Sequence, residues 1–297
     1  MLNDIKTMAV HSGSFHADDV FCVAMMQSIV DDLEIIRTRD EDILKKCDIV
    51  ADVGGGKYDH HDLNKRLRPD GIPYCAFGLL WQDYGNDYIR KNFSFLCEDK
   101  VQDIVDKIAV NFITELDAND NGVDIIKCDY PIMTLSKIID TFAPHGSYDI
   151  DKYFFKAVDF ATHLLNVVVS KEVRYYDDLE YIQDLLRSQD TSCGYLVLDK
   201  RISWKEPLLL CDTNKAIKFV VYEDLSQKWM VQNVPIVLGE FHARAYLPKS
   251  WAGLSQQELD VVTGIDGCIF CHPARFLCGN STKEGAIKLA KLALAQC

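Results

Sequence analysis

The chain has 297 residues, 48% of them hydrophobic, and a net charge of −13 at pH 7. This length allows one large buried core or two modest ones. The sequence has no run of 18 apolar residues, and its first residues resemble neither a secretory signal nor an Arg-rich transit peptide. We therefore expect a cytoplasmic protein without a membrane-spanning helix, in which the 11 cysteines are free thiols.

The negative charge is concentrated in the first part of the chain. Residues 1–187 contain 20 Lys and Arg against 34 Asp and Glu, a balance of −14, whereas residues 188–297 carry +1. Binding of long duplex DNA requires a basic face, so such DNA is a poor candidate partner. Bound cations reverse the local field of an acidic site, so an anionic phosphate can still be attracted there.

The first half of the chain alternates between strand and helix patterns. Short apolar runs predict strands at residues 6–10, 34–37 and 49–53, and longer runs predict helices at 18–28, from 75 through 83 and beyond, and at 99–113. This alternation predicts an α/β fold with a mostly parallel sheet flanked by helices. Ligand sites in such folds lie at the carboxyl edge of the sheet.

The second half has a different pattern. Residues 149–187 keep the helical spacing of apolar side chains, and residues 189–194 have the composition of a linker. Short strand-like runs follow at 195–198, 216–222, 229–231 and 268–271, and a helix is predicted at 283–295. We therefore predict two domains: residues 1–187, which include a helical connector, and a smaller mixed α/β domain at 195–297.

A cluster of metal-ligand residue types directly follows the third predicted strand. The segment from Asp52 to Asp62 contains three Asp and two His, His60 and His61, around three consecutive glycines. Carboxylate and imidazole together form a ligand set for Mn²⁺, Fe²⁺ or Zn²⁺. The alternative is a polar hairpin turn, in which these residue types are common.

A second cluster follows the first predicted strand. His11, His16 and Asp18 lie between that strand and the first predicted helix. Asp18 or Asp19 alone can cap the helix N-terminus. Capping gives no reason for the two histidines, whereas a metal site explains both.

A third cluster contains Glu115, Asp117 and Asp120 and precedes the turn signal Asn-Gly at 121–122. We predict that it lies in a loop. By itself it suits a solvated turn. Together with the other two clusters it supplies the last carboxylate of a two-metal centre.

Cys268 and Cys271 form a single C-x-x-C pair, with Cys278 beyond it. Such a pair occurs in zinc and redox sites, but one pair without a second is weak evidence. The intervening Ile and Phe indicate a buried strand, so we interpret these cysteines as packing residues.

In combination, these motifs resemble the DHH phosphoesterase superfamily and, within it, the Myg-type exonuclease family. The resemblance covers nearly the full length of the chain and depends on several motifs in a fixed order. They are His11-x-Gly-x-Phe-His16-x-Asp18-Asp19, Arg37-Thr-Arg-Asp40, Asp52-Val-Gly-Gly, Asp59-His-His, Gly78-Leu-Leu-Trp81, Asp117-x-x-Asp120-Asn-Gly122, Trp251-x-Gly253-Leu254 and Thr282-x-x-Gly285-Ala286.

The resemblance implies a centre that holds two divalent cations, with Asp52 bridging them. Mn²⁺ is the expected metal, with Mg²⁺, Fe²⁺, Co²⁺ or Zn²⁺ as alternatives, because His16 stands where superfamily relatives carry Asp and imidazole disfavours Mg²⁺. Asp120 is preferred to Asp117, because Asp-Asn-Gly better resembles the fourth acidic motif of the superfamily. The implied ligands are His11, His16, Asp18, Asp52, His60 and Asp120.

The resemblance also implies roles outside the ligand set. Asp59 would orient His60, and His61 would face the phosphate as a candidate proton donor to the leaving oxygen. The second domain would hold the far end of the substrate, although residues 277–280 stand where many related domains have a Gly-Gly-Gly-His loop. The candidate substrate contacts are Arg39, Arg244, His272 and Lys283.

This resemblance favours two-metal-assisted phosphodiester hydrolysis, by a 3′-to-5′ exonuclease acting on RNA or short oligonucleotides. The acidic surface suits short or single-stranded substrates. One alternative is hydrolysis of a small phosphate such as pyrophosphate, a nucleotide or a cyclic dinucleotide. Another is a non-catalytic RNA-binding protein in which the metals are structural.

Overall fold

Two sheets organise the chain in the computed structural model, which describes residues 2–144, 146 and 149–296. By its internal contacts the chain divides into two units, Met1–Val173 and Arg174–Cys297, and the division falls inside a long helix. The predicted fold class is confirmed: a parallel first sheet with helices, a helical connector and a second, mixed sheet. The domain boundary after residue 187 stays a prediction.

The first unit contains a parallel sheet of three short strands. Its central strand, β1 (Thr7–Val10), pairs with β2 (Glu34–Arg37) on one side and β3 (Ile49–Val50) on the other. Residues 8–10 are fully buried, as expected for a central strand that is covered on both faces. β3 is shorter than predicted, because the backbone at Asp52 enters the left-handed region with a φ of 58°.

Helices complete the first unit. α1 is buried along most of its length and packs on α3, where the rings of Phe21 and Phe77 lie 5.4 Å apart. The almost uninterrupted apolar sequence of α1 follows from this burial on all sides. The helices are α1 (Ala17–Ile29), α2 (Glu41–Leu44), α3 (Ala76–Asn92), α4 (Glu98–Ile108), α5 (Thr114–Asp120), α6 (Leu135–Asp140) and the first part of α7 (Ile150–Ser188).

The third acidic cluster lies in a helix, which corrects the predicted loop. The helix predicted at 99–113 is α4 followed by a π-helical turn at Ala109–Ile113, and the chain continues directly into α5. The Asn-Gly signal ends α5, because Gly122 has a φ of 67° and Val123 N donates to Ala118 O at 2.8 Å. Helical geometry therefore sets the spacing of Asp117 and Asp120.

The second unit contains a five-stranded sheet in the order β4-β5-β6-β8-β7. β4 and β5 are parallel, and the other neighbours are antiparallel. The stretch 277–280 is an inner strand of this sheet, which the sequence patterns did not predict. The elements are β4 (Tyr195–Val197), α8 (Lys205–Cys211), β5 (Phe219–Glu223), β6 (Trp229–Asn233), α9 (Gln256–Thr263), β7 (Cys268–Cys271), β8 (Leu277–Asn280) and α10 (Lys283–Leu294).

The Cys268, Cys271 and Cys278 side chains belong to the hydrophobic core of the second unit. They pack with Val231 and Leu289, and all three are free thiols. Within the described residues, each candidate metal cluster consists of His and Asp side chains alone. Burial raises the pKa of the Cys278 thiol well above its ordinary value, as expected for a packing residue.

None of the helices in the described part of the chain combines the length and the apolarity that crossing a bilayer requires.

Candidate metal centre

Five elements of the first unit deliver the candidate ligands to one end of the parallel sheet. His11 directly follows β1, and Asp18 lies in the first turn of α1. Asp52 follows β3, His60 comes from the glycine-rich loop beyond it, and Asp120 is the last residue of α5. The carboxyl ends of neighbouring parallel strands therefore create the site, as the strand order predicts.

Asp52 lies between two histidines. Its Oδ2 is 3.1 Å from His11 Nε2, and its Oδ1 is 3.2 Å from His60 Nε2. Candidate ligand atoms of Asp52 lie within 4.8 Å of those of His11 and His16 in one group, and of His60 and His61 in another. A carboxylate shared by two such groups has the geometry of a bridging ligand.

The backbone around Asp52 is unusual. Asp52 has a φ of 58°, and Gly54 and Gly55 have φ values of 82° and 69°. A left-handed non-glycine residue costs about 1–3 kcal/mol and persists only where the surroundings impose it. The position of Asp52 between the two histidines therefore requires a strained backbone. The glycines allow the chain to turn back towards His60.

The two carboxylates of α5 have different surroundings. Asp120 Oδ2 lies 2.9 Å from His60 Nε2. Asp117 is fully buried and accepts hydrogen bonds from Arg68 Nη1 at 2.8 Å and from Cys75 N at 2.9 Å. Of the two, Asp120 therefore has the geometry of a ligand, and Asp117 is part of the framework.

Asp18 provides the test of whether these residues fit a cation. It is fully buried, yet neither of its carboxylate oxygens forms a hydrogen bond with a described residue; His60 Nε2 lies 3.6 Å from Oδ2. Burial, and then the charges of Asp52 and Asp120, raise the pKa of this carboxyl well above its ordinary value. A buried carboxylate that lacks donors needs a proton or a cation, so the donor set fits a divalent cation.

The two buried histidines have raised pKa values in the metal-free protein. Burial lowers the pKa of His60, but hydrogen bonds to Asp120 and Asp52 outweigh it and raise the pKa to about 10. Burial also lowers the pKa of His11, but the hydrogen bond to Asp52 outweighs burial, so the pKa is raised. Burial raises the pKa of Asp52, but the hydrogen bonds to both histidines outweigh burial and lower the pKa below its ordinary range. The two histidines therefore hold protons that a bound cation would have to displace.

Asp59 orients His61, which corrects the expectation that it would orient His60. Asp59 Oδ1 lies 2.7 Å from His61 Nδ1, and Gly55 N donates to Asp59 Oδ2 at 2.7 Å. The His61 side chain is 65% exposed, although its ring is only 4.4 Å from that of His60. His60 Nδ1 is buried and forms no hydrogen bond with a described residue. The exposed histidine, and not the buried one, is therefore held by the carboxylate.

His16 lies at the open side of the cluster. It is exposed, and its ring is 5.9 Å from that of His11. Its nitrogen forms one candidate group with His11 and Asp52 and another with Asp18 and Asp120. All six predicted ligands are thus brought together, and their role in binding metal stays a prediction.

Arginines at the end of β2 stand beside this cluster. Arg39 is exposed, and its Nε donates to Ser12 O at 3.3 Å, next to His11. Arg37 is buried in an ion pair with Asp151, and it donates to Gly13 O at 2.8 Å. Arg37 therefore anchors the loop that carries His16, whereas substrate binding by the exposed Arg39 stays a prediction.

The other substrate candidates lie in the second unit. Arg244 is buried in an ion pair with Asp212 and donates to Ile217 O at 2.9 Å, so the structure does not support its prediction as a substrate contact. The rings of His272 and Phe276 are in a tilted contact, with centroids 4.4 Å apart. Lys283 Nζ lies 5.1 Å from the ring centroid of Trp229. For these two residues substrate binding stays a prediction.

The family model of the MYG1 exonucleases, described as "Uncharacterised protein family (UPF0160)", matches residues 7–294. The chain belongs to the MYG1 family. A MYG1 protein of Schizosaccharomyces pombe is 30% identical, over 99% of this chain and 98% of the relative. A human protein named MYG1 exonuclease is 32% identical, over 97% and 86%, and a MYG1 protein of Saccharomyces cerevisiae is 31% identical, over 98% and 96%. No solved structure gives a significant match.

In this MYG1 family member, two residues of the centre were missed by the sequence reasoning. Asp19 accepts a hydrogen bond from His16 N at 2.9 Å, and its other oxygen is 3.5 Å from His11 Nε2. Arg68 is buried against Asp117. The bond to His16 N is the predicted cap of helix α1, and the contact with His11 places Asp19 beside the candidate ligands as well. Arg68 has no local signal, because its partner is 49 residues away.

Proposed function

We propose that this MYG1 family member is a divalent-metal-dependent phosphodiester hydrolase, a 3′-to-5′ exonuclease that acts on RNA or short oligonucleotides. The observation that carries the proposal is Asp52, a buried carboxylate shared between His11 and His60 at 3.1 and 3.2 Å. Relatives that match 97% of this chain are named MYG1 exonuclease, which supports a nuclease activity. The order of the motifs supports placement in the DHH phosphoesterase superfamily.

Six side chains would hold two cations in this proposal. The mixture of imidazole and carboxylate favours Mn²⁺, Fe²⁺, Co²⁺ or Zn²⁺ over Mg²⁺, and we propose Mn²⁺. When bound, such cations lower the pKa of a water molecule and neutralise charge that develops on the phosphate. The ligands are His11, His16, Asp18, Asp52, His60 and Asp120.

The chain's own residues position the substrate and move a proton. His61 is exposed beside the cluster, and Asp59 fixes its ring through the 2.7 Å contact at Nδ1. This arrangement leaves Nε2 of His61 to donate a proton to the leaving oxygen of the scissile phosphate. Arg39 would pair with a non-bridging phosphate oxygen, because a guanidinium forms two parallel hydrogen bonds with phosphate.

The test compares substrates in parallel. Protein purified without chelator is offered a 5′-labelled oligoribonucleotide, the same oligomer labelled at its 3′ end, and pyrophosphate, each with Mn²⁺. A 3′-to-5′ exonuclease releases labelled mononucleotide at once from the 3′-labelled oligomer and gives a descending ladder from the 5′-labelled one. Orthophosphate from pyrophosphate alone would replace the proposal with a small-molecule phosphohydrolase. Binding without cleavage under several metals would favour a non-catalytic role.

Two variants connect that activity to the site. Asp52→Asn removes the shared charge, so we expect loss of cleavage and of bound metal. His163→Ala is the matched control, because His163 is an exposed histidine of helix α7 outside the candidate metal clusters. Equal activity in Asp52→Asn and the wild type would overturn the proposal.

A further inference from the structure

A second candidate site lies in the second unit, at the end of strand β6. A cavity of about 490 Å³ opens there between β6, a hairpin at 235–243 and the turn that joins β7 to β8. Its lining includes three aromatic side chains, with a lysine and a histidine beside them. We call this cavity the aromatic pocket and define it by Phe241, Tyr246, Phe276, His242 and Lys205.

The hairpin presents its aromatic residue to solvent. Pro235 and Ala243 form a bridge, and Ile236 N donates to His242 O at 2.9 Å, so the two arms are held together. Phe241, at the hairpin tip, is fully exposed. A ligand in the cavity can therefore reach the whole phenyl ring.

The other rings are held in place by their neighbours. The rings of His272 and Phe276 are in a tilted contact with centroids 4.4 Å apart, and His272 Nδ1 accepts a hydrogen bond from Ala274 N at 3.0 Å. The guanidinium of Arg275 lies 5.2 Å from the ring centroid of Tyr246. These contacts limit the motion of the rings before a ligand arrives, which reduces the entropy lost on binding.

The charge of the aromatic pocket differs from that of the chain. Lys205 and Arg275 stand in or beside it, and Glu240 is the carboxylate in its lining. The chain as a whole has a net charge of −13, so a local excess of cations is selective for an anionic ligand. Aromatic faces combined with cations match a nucleotide, which has a planar base and a charged phosphate.

The lining also argues against a protein partner. Ile236, Val237 and Leu238 are about half exposed on the same hairpin, and an aliphatic surface of that kind would suit a protein. None of these three side chains is among the residues that line the pocket. The cavity itself is lined by three aromatic side chains, by polar groups and by one lysine and one carboxylate, which suits a base more than an aliphatic side chain.

We propose that the aromatic pocket binds a nucleobase of single-stranded RNA, which stacks on Phe241 while Lys205 contacts the adjacent phosphate. This inference rests on the proposed function, because it names a subsite for the substrate of that reaction. It adds a base-binding position in the second unit that is independent of the metal ligands. Base stacking is tolerant of sequence, so the pocket would accept any of the four bases.

The test measures binding separately from cleavage. The full-length protein, purified without chelator, is titrated into a fluorescein-labelled 2′-O-methyl phosphorothioate 7-mer, which resists cleavage, and anisotropy gives the Kd. We expect Phe241→Ala to weaken binding about tenfold, or about 1.4 kcal/mol, because the stacking of one base is lost. Phe241→Trp should retain the affinity of the wild type. Phe95→Ala is the matched control, because Phe95 is also highly exposed but lies in the first unit.

An abasic 7-mer separates stacking from phosphate contact. The wild type should bind it as weakly as Phe241→Ala binds the intact oligomer, and Phe241→Ala should show no further loss. Equal Kd values for Phe241→Ala and the wild type would overturn the inference, as would an absence of any binding by the wild type. Loss of self-association in Phe241→Ala, by sedimentation, with unchanged oligomer binding would assign the surface to a protein and also overturn it.

Failure of the proposed function gives a different result. If Phe241-dependent binding is observed but no metal supports cleavage, the aromatic pocket stands and the hydrolase assignment fails. If an unmodified oligomer is cleaved at the metal centre while binding is insensitive to Phe241, the hydrolase assignment stands and the base subsite is wrong.

Discussion

Arg68 and Asp117 form a buried ion pair in the first unit, with Nη1 and Oδ2 2.8 Å apart and both side chains at most 5% exposed. Asp117 lies one helical turn before Asp120, and Arg68 also donates to Ala109 O at 3.0 Å. The pair therefore joins the segment that follows the Asp-His-His motif to the helix that carries the last carboxylate.

Removal of this arginine should destabilise the fold strongly. Arg68→Met leaves the Asp117 carboxylate buried without its cation, which typically costs about 3–5 kcal/mol in the free energy of unfolding. The double variant Arg68→Met/Asp117→Leu should recover part of the loss, because it leaves no buried charge unpaired. Urea denaturation of the wild type and of the two variants measures their free energies of unfolding.

A surface pair provides the comparison. Arg90 and Glu98 are 2.6 Å apart but are largely exposed. Arg90→Gln should leave the midpoint of unfolding almost unchanged, because exposed ion pairs contribute little. If Arg68→Met behaved like Arg90→Gln, Arg68 would have no positioning role.

Gly78 in α3 should not tolerate a side chain. A Cβ at this position would collide with the Asp117 carboxylate and lie 2.8 Å from its Cγ. Gly78→Ala should therefore lower the stability by about 1–3 kcal/mol, although alanine favours a helix. Gly56→Ala is the control, because a Cβ there meets nothing within 4 Å. Equal melting temperatures for the two variants would contradict the packing described.

The stability of the metal-free protein should fall as pH rises. The pKa of His60 is about 10 in the folded protein against an ordinary value of 6.5, so its contribution is complete below pH 6.5 and is lost as pH rises through 10. The Asp19 carboxyl likewise stabilises the protein less as pH rises, because burial is the main cause that raises its pKa to about 7. A cation bound at the proposed centre would replace these protons, so metal affinity should increase with pH.

Melting temperatures with EDTA and with Mn²⁺, between pH 6 and 9.5, measure this effect. The melting temperature with Mn²⁺ should exceed that with EDTA by a margin that widens as pH rises. In His60→Gln the metal-free curve should be flatter, whereas His163→Gln should follow the wild type. A difference that stayed constant across this range would show that protons and metal do not share the site.

The Asp59–His61 contact should affect catalysis without affecting metal content. His61→Ala should lower kcat by ~10²–10⁴-fold, the usual contribution of a general acid. Asp59→Asn should lower kcat less, because the imidazole remains but loses its fixed orientation. Asp62→Asn, in an exposed neighbour, is the control. Loss of bound metal in His61→Ala, by elemental analysis, would instead make His61 a ligand.

The sequence predicted the parts of this protein that local patterns determine. β2 and β7 begin and end where the apolar runs predicted, and the three acidic and histidine-rich segments meet at the carboxyl end of the sheet. The parallel fold explains the meeting of the first two segments, because they follow strands β1 and β3 of the same sheet, whereas the third lies in helix α5.

Long-range contacts could not be predicted in the same way. The ring that Asp59 orients depends on how the chain turns after three glycines, and adjacent histidines give no signal for choosing between them. Arg244 resembles a phosphate ligand until its partner Asp212, 32 residues earlier, is known. The strand at 277–280 has a glycine and an asparagine among its four residues, which weakens its propensity for a strand.

Anomalous diffraction at the manganese edge, from crystals grown with Mn²⁺, tests the central claim most directly. We predict two peaks beside the Asp52 carboxylate, one also contacted by His11 and the other by His60. No peak at Asp52, with the histidine rings turned away from it, would contradict the assignment of this cluster as a metal centre.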